Sequence, residues 1–241
     1  MNPIQREQHK KLLETIMPSV CRIRFHSGTA NGFLCVYQGG VTGEDNSFLL
    51  ITNNRVISDI SICSLKTNIF EFPSLTNLKQ FQVRQEIIED AWTNWECDST
   101  VIEITQGMAD RMMDQGARFL EMGPPVVGKL AAAIGYPKGN QISFDYGEIW
   151  TINKDYQIVH RSSTKHVRCG GPLVNMEGKV VGIHKGTNSN KMNEAVRLKF
   201  VLNLYFQLRK VALNSSNKGQ VYNPNNELSL ASNDRPNMAF G

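Results

Sequence analysis

Short apolar runs, separated by polar turns that contain glycine, fill much of this 241-residue chain and predict a succession of β-strands. The first, Val20 to Phe25, alternates apolar and polar side chains as a half-buried strand does. Gly32 to Tyr37 follows across a Ser-Gly-Thr-Ala-Asn turn, so these two strands are predicted to pair. Phe48 to Thr52 is an apolar run after a glycine-rich loop, which predicts a central strand.

Further strand-like segments continue this pattern along the chain. They are Ile60 to Lys66, Lys79 to Ile88, Lys129 to Gly135, Gln141 to Ile152, Tyr156 to Arg161 and Asn193 to Arg197. Between them, Gln106 to Val127 is rich in methionine and carries Gly116 and a Gly-Pro-Pro sequence. This change of pattern predicts a connection between two halves of the protein.

Two segments with helical spacing of apolar residues flank the strands. Gln5 to Met17, which is closed by a proline, predicts a helix with an apolar stripe. The stripe consists of Leu12, Leu13 and Ile16. Lys199 to Val211 predicts a second, amphipathic helix. Its apolar side is predicted to contain Phe200, Leu204 and Leu208.

The segment from Thr164 to His184 has the clearest chemical pattern. It reads Thr-Lys-His-Val-Arg-Cys-Gly-Gly-Pro-Leu-Val-Asn-Met-Glu-Gly-Lys-Val-Val-Gly-Ile-His. Pro172 to Val174 and Lys179 to Ile183 predict a hairpin joined by a polar turn, with Cys169 at its mouth. The two glycines after Cys169 remove Cβ atoms beside the sulfur, which gives another chain room to approach it. A cysteine that is simply buried is the alternative.

This order of residues resembles the nucleophile segment of the chymotrypsin-fold cysteine proteases of RNA viruses, the picornavirus and potyvirus polyprotein proteases. The resemblance implies that Cys169 is the nucleophile. It also implies that Thr164 and His184 line a pocket for a Gln or Glu side chain, with Gly182 and Ile183 beside it. A hydroxyl and an imidazole suit a neutral amide or a carboxylate, since neither supplies a full counter-charge. A buried, structural role for His184 stays open.

The same resemblance implies an all-β fold, a trypsin- or chymotrypsin-like double β-barrel with N-terminal and C-terminal helices. The expected divisions are an N-terminal helix over residues 1–17, a first barrel over 18–110, a connection over 111–127, a second barrel over 128–197, a C-terminal helix over 198–213 and a flexible tail over 214–241. A chain of this length is long enough for two such units.

A second stretch, Thr-Asn-Asn-Arg-Val-Ile, resembles the segment that carries the general-base histidine in these proteases. Arg55 occupies the position of that histidine. Arginine keeps its proton at physiological pH and has no acceptor lone pair, so it cannot act as a base. Asp98, which precedes an apolar strand, resembles the acid that orients the histidine; a capping Asp at the start of a strand is the alternative. If Arg55 lies beside Asp98, the two form an ion pair.

The loop before the nucleophile departs from the family at one more position. The viral proteases have glycine two residues before the cysteine, and this chain has Val167. The resemblance places the oxyanion donors on the backbone of Val167, Arg168 and Cys169. A β-branched residue adopts unusual backbone angles less readily than glycine does. His166 and His26 are alternative bases, if the fold brings either one within hydrogen-bond reach of the sulfur.

Composition limits the remaining possibilities. Apolar residues make up 41% of the chain and charged residues 20%, which is ordinary for a globular protein, and no apolar run reaches the about 18 residues of a membrane span. The five cysteines lack metal-site spacing and are odd in number, so we expect reduced thiols, no metal or cofactor, and a cytoplasmic protein. The net charge of +4 and one basic group, Lys199, Arg209 and Lys210, give little support for nucleic-acid binding.

Two functions are consistent with these features. One is a cysteine endopeptidase that hydrolyses peptide bonds after Gln or Glu. With Arg55 in place of the base, this chain is expected to be inactive or strongly impaired. The other is a pseudoprotease that binds peptide or protein segments without turnover, by strand addition along Val180 to Ile183. For both functions the expected partner is a peptide or protein with Gln or Glu at the recognised position.

Overall fold

The structure, a computed structural model, describes residues 3–25, 28–39, 46–54, 68–73, 75, 80–83, 91–137, 141–153, 156–162, 169–188 and 191–216. Helix α1 spans Pro3–Ile16 and continues into a 3-10 turn, Met17–Ser19. The first group of strands is β1 Val20–Phe25, β2 Gly28–Gln38, β3 Asn46–Thr52, β4 Asn68–Glu71, β5 Gln80–Val83, β6 Trp92–Asn94 and β7 Ser99–Ile104. Helix α2 spans Gln106–Asp114. The second group is β8 Leu130–Gly135, β9 Ser143–Asn153, β10 Gln157–His160, β11 Pro172–Asn175, β12 Val180–Thr187 and β13 Asn193–Arg197, followed by α3 Leu198–Ser216.

The strands form two antiparallel sheets, which confirms the predicted all-β fold class. The first is a seven-stranded sheet in the order β5-β4-β1-β2-β3-β7-β6, and the second is a closed six-stranded barrel in the order β10-β13-β12-β11-β8-β9. One cluster of buried side chains joins Leu12 of α1, Phe33 of β2, Ile134 of β8 and Val201 of α3. The sheet, the barrel and the two terminal helices therefore share a common hydrophobic core.

Strand β2 is longer than predicted. It begins at Gly28 rather than at Gly32, because residues 28–31 continue the ladder with β1 and place Ala30 opposite Ile23. The other side of β1 pairs with β4, which was not predicted. The predicted strand over residues 60–66 lies outside the described residues. Of the predicted strand over residues 79–88, the structure describes only the part that forms β5. Helix α2 begins the segment that was predicted as a connection.

The apolar side of α3 differs from the predicted one. Its buried residues are Leu198, Val201, Leu202, Tyr205 and Phe206. The predicted ones, Phe200, Leu204 and Leu208, are only half-buried. The prediction was wrong because the buried side follows i, i+3, i+4, i+7 and i+8 steps from Leu198, the first residue of the helix. In the described ranges, no helix has the length and apolar character needed to cross a membrane.

Polar contacts also fix α3 to the first sheet. Tyr205 donates its phenolic hydrogen to a carboxylate oxygen of Glu103 on β7 at 2.9 Å, and Arg209 donates to the same oxygen. Tyr37 of β2 stacks on Phe206, with ring centroids 4.5 Å apart. Arg209 is thus engaged with the first sheet, and the basic group predicted on this helix is not a single open cationic surface.

The chain crosses from the sheet to the barrel in residues 117–123, and this segment hydrogen-bonds to both. The N–H of Leu120 donates to the carbonyl of Leu34 on β2 at 3.0 Å. The N–H of Val180 on β12 donates to the carbonyl of Glu121 at 2.8 Å. These bonds hold β2 and β12 in a fixed relation, and β12 is the strand that ends beside Cys169.

Candidate active site

Cys169 lies in the turn that leads into β11, where the barrel meets the first sheet. Its side chain is half-buried, and its thiol donates to the carbonyl oxygen of Lys185, with Sγ 2.7 Å from that oxygen. The N–H of Gly170 donates to the carbonyl of His184 at 2.9 Å, and the N–H of His184 donates to the carbonyl of Gly171 at 2.9 Å. The turn is therefore held against the end of β12, and the sulfur lies outside the hydrophobic clusters.

The two glycines after Cys169 are required by the close contact between the sheet and the barrel. Gly170 has φ of 90°, and a Cβ there would lie 2.2 Å from the carbonyl oxygen of Asn31. A Cβ on Gly171 would lie 2.0 Å from the carbonyl oxygen of Ile134. Neither position has room for a side chain. We predicted that these glycines leave space for an incoming chain; backbone of β2 and β8 fills that space instead.

Asn31 connects the nucleophile turn to the first sheet, and sequence reasoning missed it. Its N–H donates to the carbonyl of Cys169 at 3.2 Å, and its side-chain oxygen accepts from the N–H of Tyr136 at 2.7 Å. Its carbonyl accepts from the hydroxyl of Thr52 at 2.7 Å. Asn31 was predicted as the last residue of the turn that precedes the strand Gly32 to Tyr37. Here Asn31 is instead a fully buried strand residue.

Asp98 lies in the turn before β7, close to the segment that leads to position 55. Its carbonyl accepts a hydrogen bond from the side-chain amide of Asn53 at 2.7 Å, and its φ is 48°, a left-handed conformation that Asp tolerates. Burial raises the pKa of the neighbouring Cys97 thiol, while a hydrogen bond from Ser99 and the positive charge of Lys185 lower it. Lys185 belongs to β12, so its effect on Cys97 indicates that the end of β12 lies near the turn that contains Asp98.

Several predicted site residues lie outside the described residues. They are Arg55, Thr164, Val167 and Arg168, and the alternative bases His26 and His166 lie outside as well. The segment leading to Arg55 is described as far as residue 54, and a Cβ on Gly170 would lie 2.7 Å from the hydroxyl oxygen of Thr52. The structure thus brings this segment to the nucleophile turn, and the roles of the residues beyond it stay predictions.

The three histidines in the described part of the chain each contact another side chain. Nδ1 of His9 on α1 lies 2.5 Å from the hydroxyl oxygen of Tyr146 on β9. Nδ1 of His160 lies 2.6 Å from the hydroxyl oxygen of Ser162. The rings of His160 and His184 meet edge to face, with centroids 5.4 Å apart. The last two are 0% and 1% exposed, so the predicted pocket residue His184 belongs to a buried pair.

His160 gives the protein an acid-sensitive stability. Burial, together with the neighbouring His184, lowers the pKa of His160 to about 3. A depressed folded-state pKa contributes stability above the unfolded-state pKa of about 6.5, and this contribution is lost as the pH falls from there toward 3. Between pH 7 and pH 4.5 we expect the free energy of unfolding to fall by about 2 to 3 kcal/mol through this residue.

Urea unfolding at these two pH values tests this expectation. His160→Gln removes the titrating ring, so its free energy of unfolding should fall less between pH 7 and pH 4.5 than that of the unmodified chain. The comparison is between slopes with pH, so a constant loss of stability in the variant does not affect it. Equal slopes in the two proteins would contradict the assignment.

The predicted strand addition along Val180 to Ile183 is wrong. On one side Leu173 of β11 pairs with Gly182, and on the other side Val196 of β13 pairs with Ile183. A Cβ on Gly182 would lie 2.7 Å from the carbonyl oxygen of Val196, so this glycine serves the close approach of β13. Both edges of this stretch are occupied because β12 is an inner strand of a closed barrel.

Three further cysteines in the described residues differ from Cys169. Cys21, Cys35 and Cys97 are buried free thiols, and burial raises the pKa of each one. A buried protonated thiol is a poor nucleophile. Within this set, the half-buried Cys169 is the cysteine accessible to a reacting group.

Comparison with known proteins defines the class. The family model described as a trypsin-like peptidase domain matches residues 30–183, more than half of the chain, so the protein belongs to this family. The match runs from β2 to β12 and includes Asp98 and Cys169. No curated protein sequence matches significantly.

Solved structures share the fold at low sequence identity. Deg5 is 18% identical with a TM-score of 0.61, and the alignment covers 84% of this chain and 94% of Deg5. A serine endoprotease from Yersinia pestis is 16% identical with a TM-score of 0.58, over 83% of this chain and 65% of that protein. An inactive Ser-to-Ala mutant of Rv3671c from M. tuberculosis is 16% identical with a TM-score of 0.57, over 84% of this chain and 91% of that one. These likenesses confirm the trypsin-type fold, and the cysteine-protease class stays a prediction.

Proposed function

We propose that this protein is a cysteine-type endopeptidase of the trypsin fold, which recognises Gln or Glu before the scissile bond and whose turnover is absent or strongly impaired. The observation that carries the proposal is the position of Cys169, a half-buried thiol on a glycine turn where the barrel meets the sheet, held beside His184. In the reaction, the sulfur attacks the peptide carbonyl and the amine leaves with a proton. Water then hydrolyses the thioester.

The other site residues take roles from the resemblance. Asp98 and Arg55 hold the positions of the acid and the base, and the contact of Asn53 with Asp98 supports their proximity. Thr164 and His184 form the pocket. By the resemblance, the oxyanion donors are the backbone N–H groups of Val167, Arg168 and Cys169, with Val167 in place of the family's glycine.

Three features act against turnover. Arg55 supplies no base, and general-base catalysis contributes about 10²–10⁴-fold in rate. Val167 is less suited than glycine to the oxyanion loop, where the loss of one donor costs about 10²–10³-fold. The thiol of Cys169 donates to the carbonyl of Lys185, and this hydrogen bond must break before the sulfur can attack a carbonyl.

The hydrogen bond from the thiol of Cys169 to the carbonyl of Lys185 also favours a second candidate function, because it opposes attack by the sulfur. This function is that of a pseudoprotease, which binds peptides without cleaving them. Pairing between β11 and β12 ends at Ile183, and Gly186 and Thr187 pair with β13 in the described part of the barrel. The other edge of residues 185–187 lies beside Cys169, and a Cβ on Gly186 would lie 3.5 Å from its sulfur. An extended peptide that added a strand here would run past the thiol.

We also propose that the protein acts in a reducing compartment, as a cytoplasmic protein does, on peptide or protein partners and without a cofactor. Support comes from Cys21, Cys35 and Cys97, which are free thiols in the described residues. Secreted proteins more often oxidise their cysteines to disulfides.

A peptide library tests the proposed function on the unmodified chain. Peptides that contain Gln or Glu are incubated with it, and binding is measured by fluorescence anisotropy and cleavage by mass spectrometry. We expect saturable binding of these peptides, weaker binding of peptides with Lys at the same position, and little or no cleavage. Cleavage at rates usual for peptidases, at about 1 s⁻¹ or faster, would overturn the impairment. Absence of binding would overturn the assignment of Thr164 and His184 to a substrate pocket.

A further inference from the structure

The barrel interior ends beside Cys169 in a layer of buried polar side chains that the proposed reaction does not use. His184 of β12 and His160 of β10 meet there, and strand β13 lies between those two strands. On β13, Ala195 pairs with His184 and Asn193 pairs with His160. Paired residues and residues two apart share a face of a sheet, so these four side chains lie on one face. The small Ala195 leaves room for the two rings to meet.

A chain of hydrogen bonds fixes the ring of His160. The hydroxyl oxygen of Ser162 lies 2.6 Å from Nδ1 of His160, and the side-chain amide of Asn193 donates to the carbonyl of Ser162 at 2.6 Å. The hydroxyl of Thr187 donates to the side-chain oxygen of Asn193 at 3.2 Å. A Cβ on Gly147 would lie 2.0 Å from the backbone nitrogen of Ser162, so the backbone of β9 packs directly against Ser162.

We propose that His160, held by Ser162, is a positioning residue for His184 and makes the pocket selective for glutamine over glutamate. The inference rests on the proposed function, because it assumes that His184 contacts the side chain before the scissile bond. It narrows the substrate class from two side chains to one, and it assigns a role to His160 and Ser162.

The charge and hydrogen-bonding capacity of this layer favour a neutral ligand. At physiological pH His160 is neutral, since its lowered pKa lies far below 7, so it supplies no counter-charge for a buried carboxylate. Nε2 of His160 is buried and has no hydrogen-bond partner within the described residues. A carboxamide is uncharged and offers both a donor and an acceptor, whereas a carboxylate offers acceptors only and would be buried beside the neutral His160.

Fixing the ring of His160 also constrains His184. Which nitrogen of a neutral histidine carries the proton is set by the contacts of the ring. Because the edge of one ring meets the face of the other, a rotation of His160 would open a space that His184 could enter. Ser162 prevents that rotation, so the orientation of His184 toward the substrate depends on a hydroxyl two strands away in the barrel.

The binding test uses two peptides that differ only in Gln or Glu at the recognised position, with affinities for the full chain measured by calorimetry. We expect the unmodified chain to bind the Gln peptide about tenfold more tightly or better, and Ser162→Ala to reduce this ratio to about twofold or less. Ser143→Ala is the matched control. It removes a hydroxyl from β9 that contacts Asp145 at 3.3 Å, and it should leave the ratio unchanged.

A spectroscopic readout separates positioning from a general structural effect. Ring ¹⁵N shifts of the histidines, assigned with His160→Gln and His184→Gln, report the tautomer of each ring. We expect one neutral tautomer of His184 in the unmodified chain and in Ser143→Ala, and a mixture in Ser162→Ala.

The outcomes distinguish this inference from the proposed function. If the unmodified chain binds both peptides equally, or if folded Ser162→Ala keeps both the ratio and the single tautomer, the inference fails while peptide recognition stands. If the unmodified chain binds neither peptide, the proposed function fails and the inference with it. Should Ser162→Ala not fold, His160→Gln replaces it in the binding test, and retained selectivity in that variant overturns the inference.

Discussion

Arg55→His is expected to raise the rate of cleavage of a glutamine-containing peptide by about 100-fold or more over the unmodified chain, because it restores a general base. The strand that ends at Thr52 leads directly to this position, and the side-chain amide of Asn53 donates to the carbonyl of Asp98 at 2.7 Å. By the resemblance, a histidine at this position is the base that the predicted acid Asp98 orients. Its imidazole would take the proton that the thiol of Cys169 now donates to Lys185. A fluorogenic peptide measures the rate.

Two matched variants control this experiment. Arg55→Gln removes the positive charge without supplying a base, so its rate should stay at background. Arg55→His combined with Cys169→Ala lacks the nucleophile, so it should also show no cleavage. If Arg55→His cleaves no faster than Arg55→Gln, the missing base is not what limits turnover. Cleavage by the double variant would show that Cys169 is not the nucleophile.

Gly170→Ala is expected to lower the free energy of unfolding by about 3 kcal/mol or more, because it combines backbone strain with overpacking. Gly170 has φ of 90°, a conformation that side chains rarely adopt, and a Cβ there would lie 2.2 Å from the carbonyl oxygen of Asn31. This oxygen belongs to buried backbone of β2, so it cannot move away without breaking the bond between Asn31 and Thr52. Urea unfolding measures the change.

Gly107→Ala is the matched control for this variant. Gly107 lies in α2, and a Cβ there would have no heavy atom within 4 Å outside its chain neighbours and the nearby backbone of its own helix. Alanine in a helix is favoured over glycine, so this variant should gain up to about 1 kcal/mol of stability. Similar losses in both variants would indicate that the contact between the nucleophile turn and β2 is not what makes Gly170 necessary.

Local patterns predicted the strands that surround the site, because strand alternation and polar turns depend on residues that are close together in the sequence. The predicted hairpin after Cys169 is present as β11 and β12, and the central strand at Phe48 to Thr52 is present as β3. The family resemblance added the trypsin-type fold, which the comparison confirms. It also supplied the roles of Asp98, Arg55 and the pocket, which remain predictions.

Contacts between distant segments could not be predicted in the same way. Asn31 was predicted as the last residue of a turn, since a short-range pattern does not show that β8 and the nucleophile turn cover this residue. His160 belongs to the predicted strand Tyr156 to Arg161, but it was not predicted as a site residue. Its meeting with His184 across β13 depends on barrel closure, and a sequence pattern does not encode barrel closure locally.

The site therefore depends on how the barrel and the sheet meet. Cys169 and the histidine pair belong to the barrel, whereas Asn31, Thr52 and Asp98 belong to the first sheet and the turns around it. A change that separates the two units would expose the thiol without leaving a cleft. Stability and peptide binding should therefore fall together when the contact at Asn31 is weakened.

Covalent labelling of the unmodified chain tests most directly the central claim, that Cys169 faces a peptide-binding cleft. The probe is a glutamine peptide that carries an α,β-unsaturated ester in place of its terminal carboxyl group. The sulfur forms a bond to the β-carbon of the double bond and the thiol proton moves to the α-carbon, so neither water nor turnover is needed. We predict an adduct at Cys169, found by peptide mapping, in preference to the other four cysteines, and suppressed by excess unreactive glutamine peptide. Labelling that spares Cys169, or that the competitor does not reduce, would contradict the account.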